Sequence, residues 1–262
     1  MNVFRTALVA TALSFAALSA AHADLLDDIM KAKKIRISTD FAIPPAGMMD
    51  SNMQPIGSDV ETAKLLAADW GLQIEWVPTT GATRIPNVNS GKADIIISTL
   101  SVTPERAKVI DFSKPYAVLQ SVVGAPKTAA IKGWDDLKGK SVTVTRGTTQ
   151  DTELSGMAND KGFKVVRYDD DATMVTAGAT GQAEMVATSV ALVNAITAKN
   201  PAKPWEPKFV IRNFDLAIGT KQGEPRLQAK LSEWVATNLK NGKLNAIYKK
   251  YYHADLPAAM TN

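Results

Sequence analysis

The sequence contains no cysteine among its 262 residues. That absence removes disulfide scaffolds, thiol nucleophiles and zinc sites built on thiolates, and it leaves stability to core packing. Aromatic residues are scarce, at 6%. With 16 glycines and 13 prolines, the chain has too few of either for collagen or low-complexity disorder. No run of five like charges occurs, so a formal charge of +4 from 30 basic and 26 acidic residues describes a solvated surface, not a nucleic-acid footprint. Beyond the N-terminus no stretch approaches about 18 uninterrupted apolar residues, the length of a membrane-crossing helix.

The N-terminus itself reads as an export address. Arg5 supplies a short positive region, the uncharged stretch from Ala7 to Leu18 is mostly apolar, and Ala21-His22-Ala23 offers small residues at a cleavage site. Residues 1–23 are therefore expected to be a signal peptide, with Asp24 opening a soluble, exported chain. A composition of 45% apolar and 21% charged residues is that of a globular protein able to bury a core.

From Asp24 onward, short apolar strands alternate with helical patterns. A helix over Leu25 to Lys33 precedes the strand Ile35 to Thr39; Val60 to Trp70 recurs at helical spacing and stops at Gly71; Gln73 to Val77 is a strand. Ile85 to Val88 lies in a short helix before the buried-type strand Asp94 to Ser98. A second series begins after Val118, with strands at Ser141 to Thr145, Lys164 to Tyr168 and Glu184 to Ala187. The helices between and after them are predicted near Thr152 to Asp160, from a cap at Asp171 to Gly178, and over Val190 to Ala198. Pro201, Pro204 and Pro207 mark an irregular segment before Phe209 to Ile211 and Leu216 to Gly219, and two helices close the chain over Pro225 to Leu239 and Leu244 to Tyr251. Alternation of this kind predicts an α/β fold with mostly parallel strands, and its duplication predicts two lobes.

Several ordered segments resemble the periplasmic solute-binding proteins of polar amino acid ABC transporters, solute-binding protein family 3. They are Ile37-Ser38-Thr39-Asp40 with Pro44-Pro45, Pro55-Ile56-Gly57-Ser58-Asp59-Val60-Glu61, and Ile85-Pro86 with Gly91-Lys92-Ala93-Asp94. The most specific is Ser98-Thr99-Leu100-Ser101-Val102-Thr103-Pro104-Glu105-Arg106 followed by Asp111-Phe112-Ser113-Lys114-Pro115-Tyr116, and Leu244 to Tyr252 resembles the closing helix. The resemblance covers residues 34–252. It implies a two-lobe periplasmic-binding-protein fold with two hinge strands, the chain leaving lobe 1 near Leu119 and returning near Phe214. Lobe 1 is then residues 24–119 plus 214–262 and lobe 2 residues 120–213. It also implies a monomer that closes on a small carboxylated solute, an amino acid or analogue, and delivers it to an inner-membrane ABC permease. No cofactor, catalysis or nucleic-acid partner is implied.

The site follows from chemistry and resemblance together. Arg106 carries a planar fork of donors that matches a carboxylate, and the family's corresponding arginine holds the ligand's α-carboxylate. Thr99 and Ser101 lie at the carboxyl end of a buried-type strand, where hydroxyls face a cleft. Thr148 and Thr149, after Gly147, stand where a strand turns into a helix and free N–H groups bind an anion; the glycine run and lysine of a phosphate loop are absent.

Three departures are visible. Ser189 stands where family members place an aspartate for the α-ammonium, which puts recognition of an α-amino group in doubt. Ile43 and Gly81 replace aromatic residues that sandwich the ligand, and Gly81 opens space there. Asp40 and Glu61 remain as acidic partners for a cationic group elsewhere on the ligand. A lyase or dehydratase acting on a cyclic carboxylate is the alternative, with Asp40, Asp59, Glu61 and Glu184 as candidate acids or bases. The pair Tyr251-Tyr252 beside His253 is weighed as a ferric-iron site and set aside, because the tyrosines end a helix directly after Lys249-Lys250.

Overall fold

The computed structural model describes residues 24–261, so the expected signal peptide lies outside the described residues. The chain opens with α1 (Leu25–Ala32), capped by Asp24, and β1 (Lys34–Thr39), followed by a small hairpin of β2 (Met48–Met49) and β3 (Pro55–Ile56). Next come α2 (Ser58–Trp70), β4 (Gln73–Pro78), α3 (Arg84–Asn89), β5 (Ile95–Ile96), α4 (Pro104–Ala107) and the long β6 (Asp111–Pro126). The second series is β7 (Ser141–Thr145), α5 (Thr149–Lys161), β8 (Lys164–Tyr168), α6 (Asp171–Thr180), β9 (Val186–Ser189) and α7 (Val190–Lys199). A second long strand, β10 (Trp205–Thr220), leads to α8 (Pro225–Lys240), α9 (Lys243–Tyr252) and α10 (Ala258–Thr261).

Eight of these strands form one sheet in the order β4-β1-β5-β10-β6-β9-β7-β8. Its outer thirds are parallel: β1 pairs with β4 and β5, and β7 with β8 and β9. Its centre is the antiparallel ribbon of β6 and β10, which joins the two parallel blocks through β5 on one side and β9 on the other. Each block is covered by helices, as buried parallel strands require. Around β1 and β5 the core is Ile35, Ile37, Leu66, Ile95, Ile97, Leu227, Leu231 and Trp234, drawn from strands, α2 and α8. Around β7 and β9 it is Val142, Val144, Leu154, Phe163 and Met185, with Met174, Val186, Val193 and Ile196 under α6 and α7. This is the two-lobe α/β architecture expected from the sequence.

The two central strands differ most from expectation. The segment from Phe209 to Gly219 is one continuous strand with its flanks, and Pro207 lies inside it, not in a loop. Proline cannot donate to a ladder and sits in sheets at bulges or edges. Here the register shifts between Pro207 and Phe209, and Pro115 of β6 pairs with Ala217, between two further shifts. Bulges thus absorb the two prolines and break the alternation that would have revealed a strand. The α6 cap is also displaced by one residue: Asp170 caps the helix, accepting from Thr173 N at 2.7 Å, and Asp171 is its first helical residue.

Candidate functional site

Parallel strands deliver their carboxyl ends, and whatever follows them, to one edge of each block. In the second block, β7, β8 and β9 each run into a helix that begins at this edge. Thr148 caps α5 by accepting from Asp151 N at 3.2 Å, and Ser189 caps α7 by accepting from Leu192 N at 3.3 Å. With Asp170 on α6, three adjacent helix N-termini are satisfied by hydroxyl or carboxylate caps.

In the first block, β5 is followed by the segment from Ile97 to Thr103. Thr99 adopts a left-handed φ of 43°, which an L-residue enters only when its surroundings hold it there. Asp59 does so: its buried carboxylate accepts from Thr99 N at 2.6 Å and from the Tyr116 hydroxyl at 2.7 Å. Burial raises the Asp59 carboxyl to about 6 despite these donors. Leu100 O accepts from Ala217 N, and Val102 N donates to Asp215 O, so this segment is pinned to β10 immediately before Arg106.

Arg106 reaches across from there. Its Nη1 donates to Ser101 O at 2.9 Å and its Nη2 to Gly147 O at 3.3 Å, on the loop that opens α5. Burial, and then the charge of Arg84, lowers the guanidinium to about 9, which still leaves it a cation at neutral pH. Arg106, Thr99, Ser101, Thr148, Thr149 and Ser189 all line one narrow chamber of about 40 Å³, together with Ile43 and Leu119. Two wider inter-block cavities, of about 600 and 360 Å³, flank it.

Asp40 is not in that lining. It is 4% exposed, its Oδ1 accepts from Ala42 N at 2.9 Å, and its Oδ2 is buried without a partner. Burial raises its carboxyl to about 6. Two charged residues that the sequence reading missed do line the chamber, beside the uncharged Gln150 and Thr188. Arg84, on the first turn of α3, is 4% exposed and donates to Ser98 O at 2.5 Å; burial lowers its pKa, opposed by the charges of Asp40, Asp171 and Asp59. Asp171, equally buried, accepts from Thr145 Oγ1 at 2.6 Å. A Gly-Ala-Thr-Arg start to a helix gives no hint of a buried guanidinium, and a run of three aspartates reads as a turn.

The space read above Gly81 is occupied. A Cβ on Gly81 would stand 2.7 Å from Arg146 O, and one on Gly147 would stand 2.7 Å from Ala82 Cα, so the two loops meet backbone to backbone. Gly147 also needs its φ of 74°. Ile43 packs into the same apolar cluster as Val122, Leu192 and Val193. Of the acids weighed for a lyase, Asp59 serves the backbone as described, Glu184 is exposed, and Glu61 accepts from Tyr251 and Lys250. The Tyr252 hydroxyl meets Ser58 Oγ at 3.4 Å while that of Tyr251 turns to Glu61, so the pair does not converge.

Two α/β blocks joined by two long strands, with a buried arginine and three helix N-termini facing one chamber, define a two-lobe ligand-binding protein. Residues 35–254 match the bacterial extracellular solute-binding proteins, family 3, and the chain belongs to that family. It is 27% identical to an L-cystine-binding protein of Escherichia coli, over 98% of this chain and 95% of that one. It is 26% identical to a probable histidine-binding protein of Neisseria gonorrhoeae, over 96% and 97% of the two chains. Among solved structures, it is similar to an ancestral amino acid-binding protein that is a precursor of cyclohexadienyl dehydratase, at 31% identity and a TM-score of 0.78 over 87% of this chain and 99% of that one.

Proposed function

We propose that this protein is the periplasmic ligand-capturing component of an ABC importer, exported by residues 1–23 and acting as a monomer without catalysis. It holds an amino acid or a closely related small carboxylate in the chamber around Arg106. Lobe 1, residues 24–119 plus 214–262, and lobe 2, residues 120–213, close on the ligand about β6 and β10, and the closed form is favoured by the ligand's differential affinity for it. The observation that carries this reading is Arg106: a half-buried cation fixed by Ser101 O on one side and Gly147 O on the other, in a chamber shared with Thr148, Thr149 and Ser189. A carboxylate there meets a fork of donors and the N-terminus of α5, both of which favour negative charge. Thr99 and Ser101 add polar groups from the opposite loop. The names of the relatives, binders of cystine and histidine, support an amino acid as the ligand class.

The experiment is isothermal titration of the purified protein against the proteinogenic amino acids and cystine, beside Arg106→Ala. Micromolar or tighter binding of one of them by the native protein, lost in the variant, is expected. Full affinity in Arg106→Ala would remove the assignment.

A further inference from the structure

We infer that Asp171 holds the α-ammonium group of the ligand, so that the protein selects α-amino acids over plain carboxylates although position 189 carries only a serine. This rests on the chamber being the ligand site. The argument begins with what Ser189 is doing. Its hydroxyl accepts from Leu192 N and caps α7, and it brings no charge to the chamber. Asp171 lines the same chamber and is 4% exposed. Its Oδ1 accepts from Thr145 Oγ1, while among the described residues Oδ2 receives no hydrogen bond and no cation forms an ion pair with the carboxylate.

Arg84 is the nearby cation, yet its guanidinium donates to the carbonyls of Ser98 and Gly81 and not to a carboxylate. Asp171 therefore has one oxygen anchored, one unpaired, and a fixed place at the start of a ten-residue helix. An unpaired buried carboxylate is costly until a cation joins it. Burial raises its pKa accordingly. The lining of the chamber thus carries two guanidinium groups, Arg84 and Arg106, and one carboxylate, Asp171. A head group with one carboxylate and one ammonium offers an acceptor to Arg106 and a donor to the free Oδ2 of Asp171, whereas a carboxylate alone balances the charges but leaves that oxygen without a donor. The oxygen anchored by Thr145 fixes the other for the ligand.

The test is titration calorimetry of the full protein with paired probes: the tightest-binding proteinogenic amino acid and the carboxylate of the same skeleton lacking its α-amino group. The native protein is expected to prefer the amino acid by tenfold or more. Asp171→Asn should weaken the amino acid by about ten- to a hundredfold, the loss of a charge-assisted bond, and abolish the preference. Asp171→Glu, which keeps the charge, should retain a preference, and Ser189→Asp added to Asp171→Asn should restore one. Overturning results are a native protein that binds both probes equally, an Asp171→Asn protein that keeps the native preference, and one that loses both probes to the same degree. The last would make Asp171 a counter-charge of Arg84. Failure of the chamber itself reads differently: Arg106→Ala would then keep full affinity for both probes. Should Asp171→Asn fail to fold, Asp171→Glu and Ser189→Asp in the native background decide by the same preference ratio.

Discussion

The two walls of the chamber are built from different materials. The wall built by the segments after β4 and β5 offers long cationic side chains, Arg84 and Arg106, each held in place by backbone carbonyls, of Ser98 and of Ser101. The wall that follows β7, β8 and β9 offers helix N-termini, closed by the short side chains of Thr148, Asp170 and Ser189. One wall brings full charges on flexible stems that the fold must immobilise. The other brings partial charges already fixed by the backbone and a single full charge on a short stem, Asp171. A side chain in the first wall is therefore a single point of failure, whereas a cap in the second shares its work with neighbouring N–H groups.

That contrast sets the order of expected effects. Arg106→Ala should raise the dissociation constant of the best amino acid ligand by about 2–5 kcal/mol equivalent, 30-fold to several thousandfold, because it removes a half-buried charge and not only a bond. A smaller effect concerns the acid behind the cationic wall. Burial raises the Asp40 carboxyl from 3.8 to about 6, so the folded state binds its proton more tightly than the unfolded chain does. Its protonated form stabilises the fold fully below about pH 4, and that contribution is lost as pH rises through about 6, a change on the order of 2 kcal/mol. Denaturant titrations at pH 4 and pH 7 should show the native protein losing this much relative to Asp40→Asn; parallel pH profiles for the two would refute it.

Where the walls touch, Gly81→Ala places a methyl against Arg146 O and should cost closure about 1–3 kcal/mol. Small-angle scattering at saturating ligand would then give a less compact particle than the native protein, with affinity reduced about tenfold. Unchanged compaction and affinity would mean the loops do not meet in the bound state. The mildest change is on the dipolar wall: Thr148→Ala should cost about 1 kcal/mol of stability through the lost α5 cap, read from the denaturation midpoint, and less in ligand affinity than Arg106→Ala. A larger affinity loss at Thr148 than at Arg106 would reverse the ranking of the walls.

The architecture was legible where periodicity and punctuation agreed. Strands such as Ser141 to Thr145 and Lys164 to Tyr168 have the bounds read from the sequence, and the helix before Gly71 ends at that glycine. Of the central strands only the piece Phe209 to Ile211 was legible as a strand, and their full length was not, because Pro115 and Pro207 interrupt them at register shifts that only the partner strand defines. In the chamber, Arg106, Thr148 and Ser189 stood in motifs with local meaning. Arg84 and Asp171 did not, since nothing local distinguishes a buried arginine on α3 from an exposed one. A one-residue displacement of the α6 cap decides which aspartate turns inward: Asp170 is taken by the helix, and Asp171 is left to the chamber.

The ribbon of β6 and β10 carries one more consequence. Between the shifts at Val210/Arg212 and Leu216/Ala217, residues 212–216 pair without interruption with residues 117–121, at the level where the proposed hinge lies. A movement centred there is an elastic twist of an intact ladder, with its bends collected at the bulges on either side. Opening and closing then break no backbone bond in this segment, and the hydrogen-bonded amides of the ribbon should resist deuterium exchange equally with and without ligand while those of the facing loops do not.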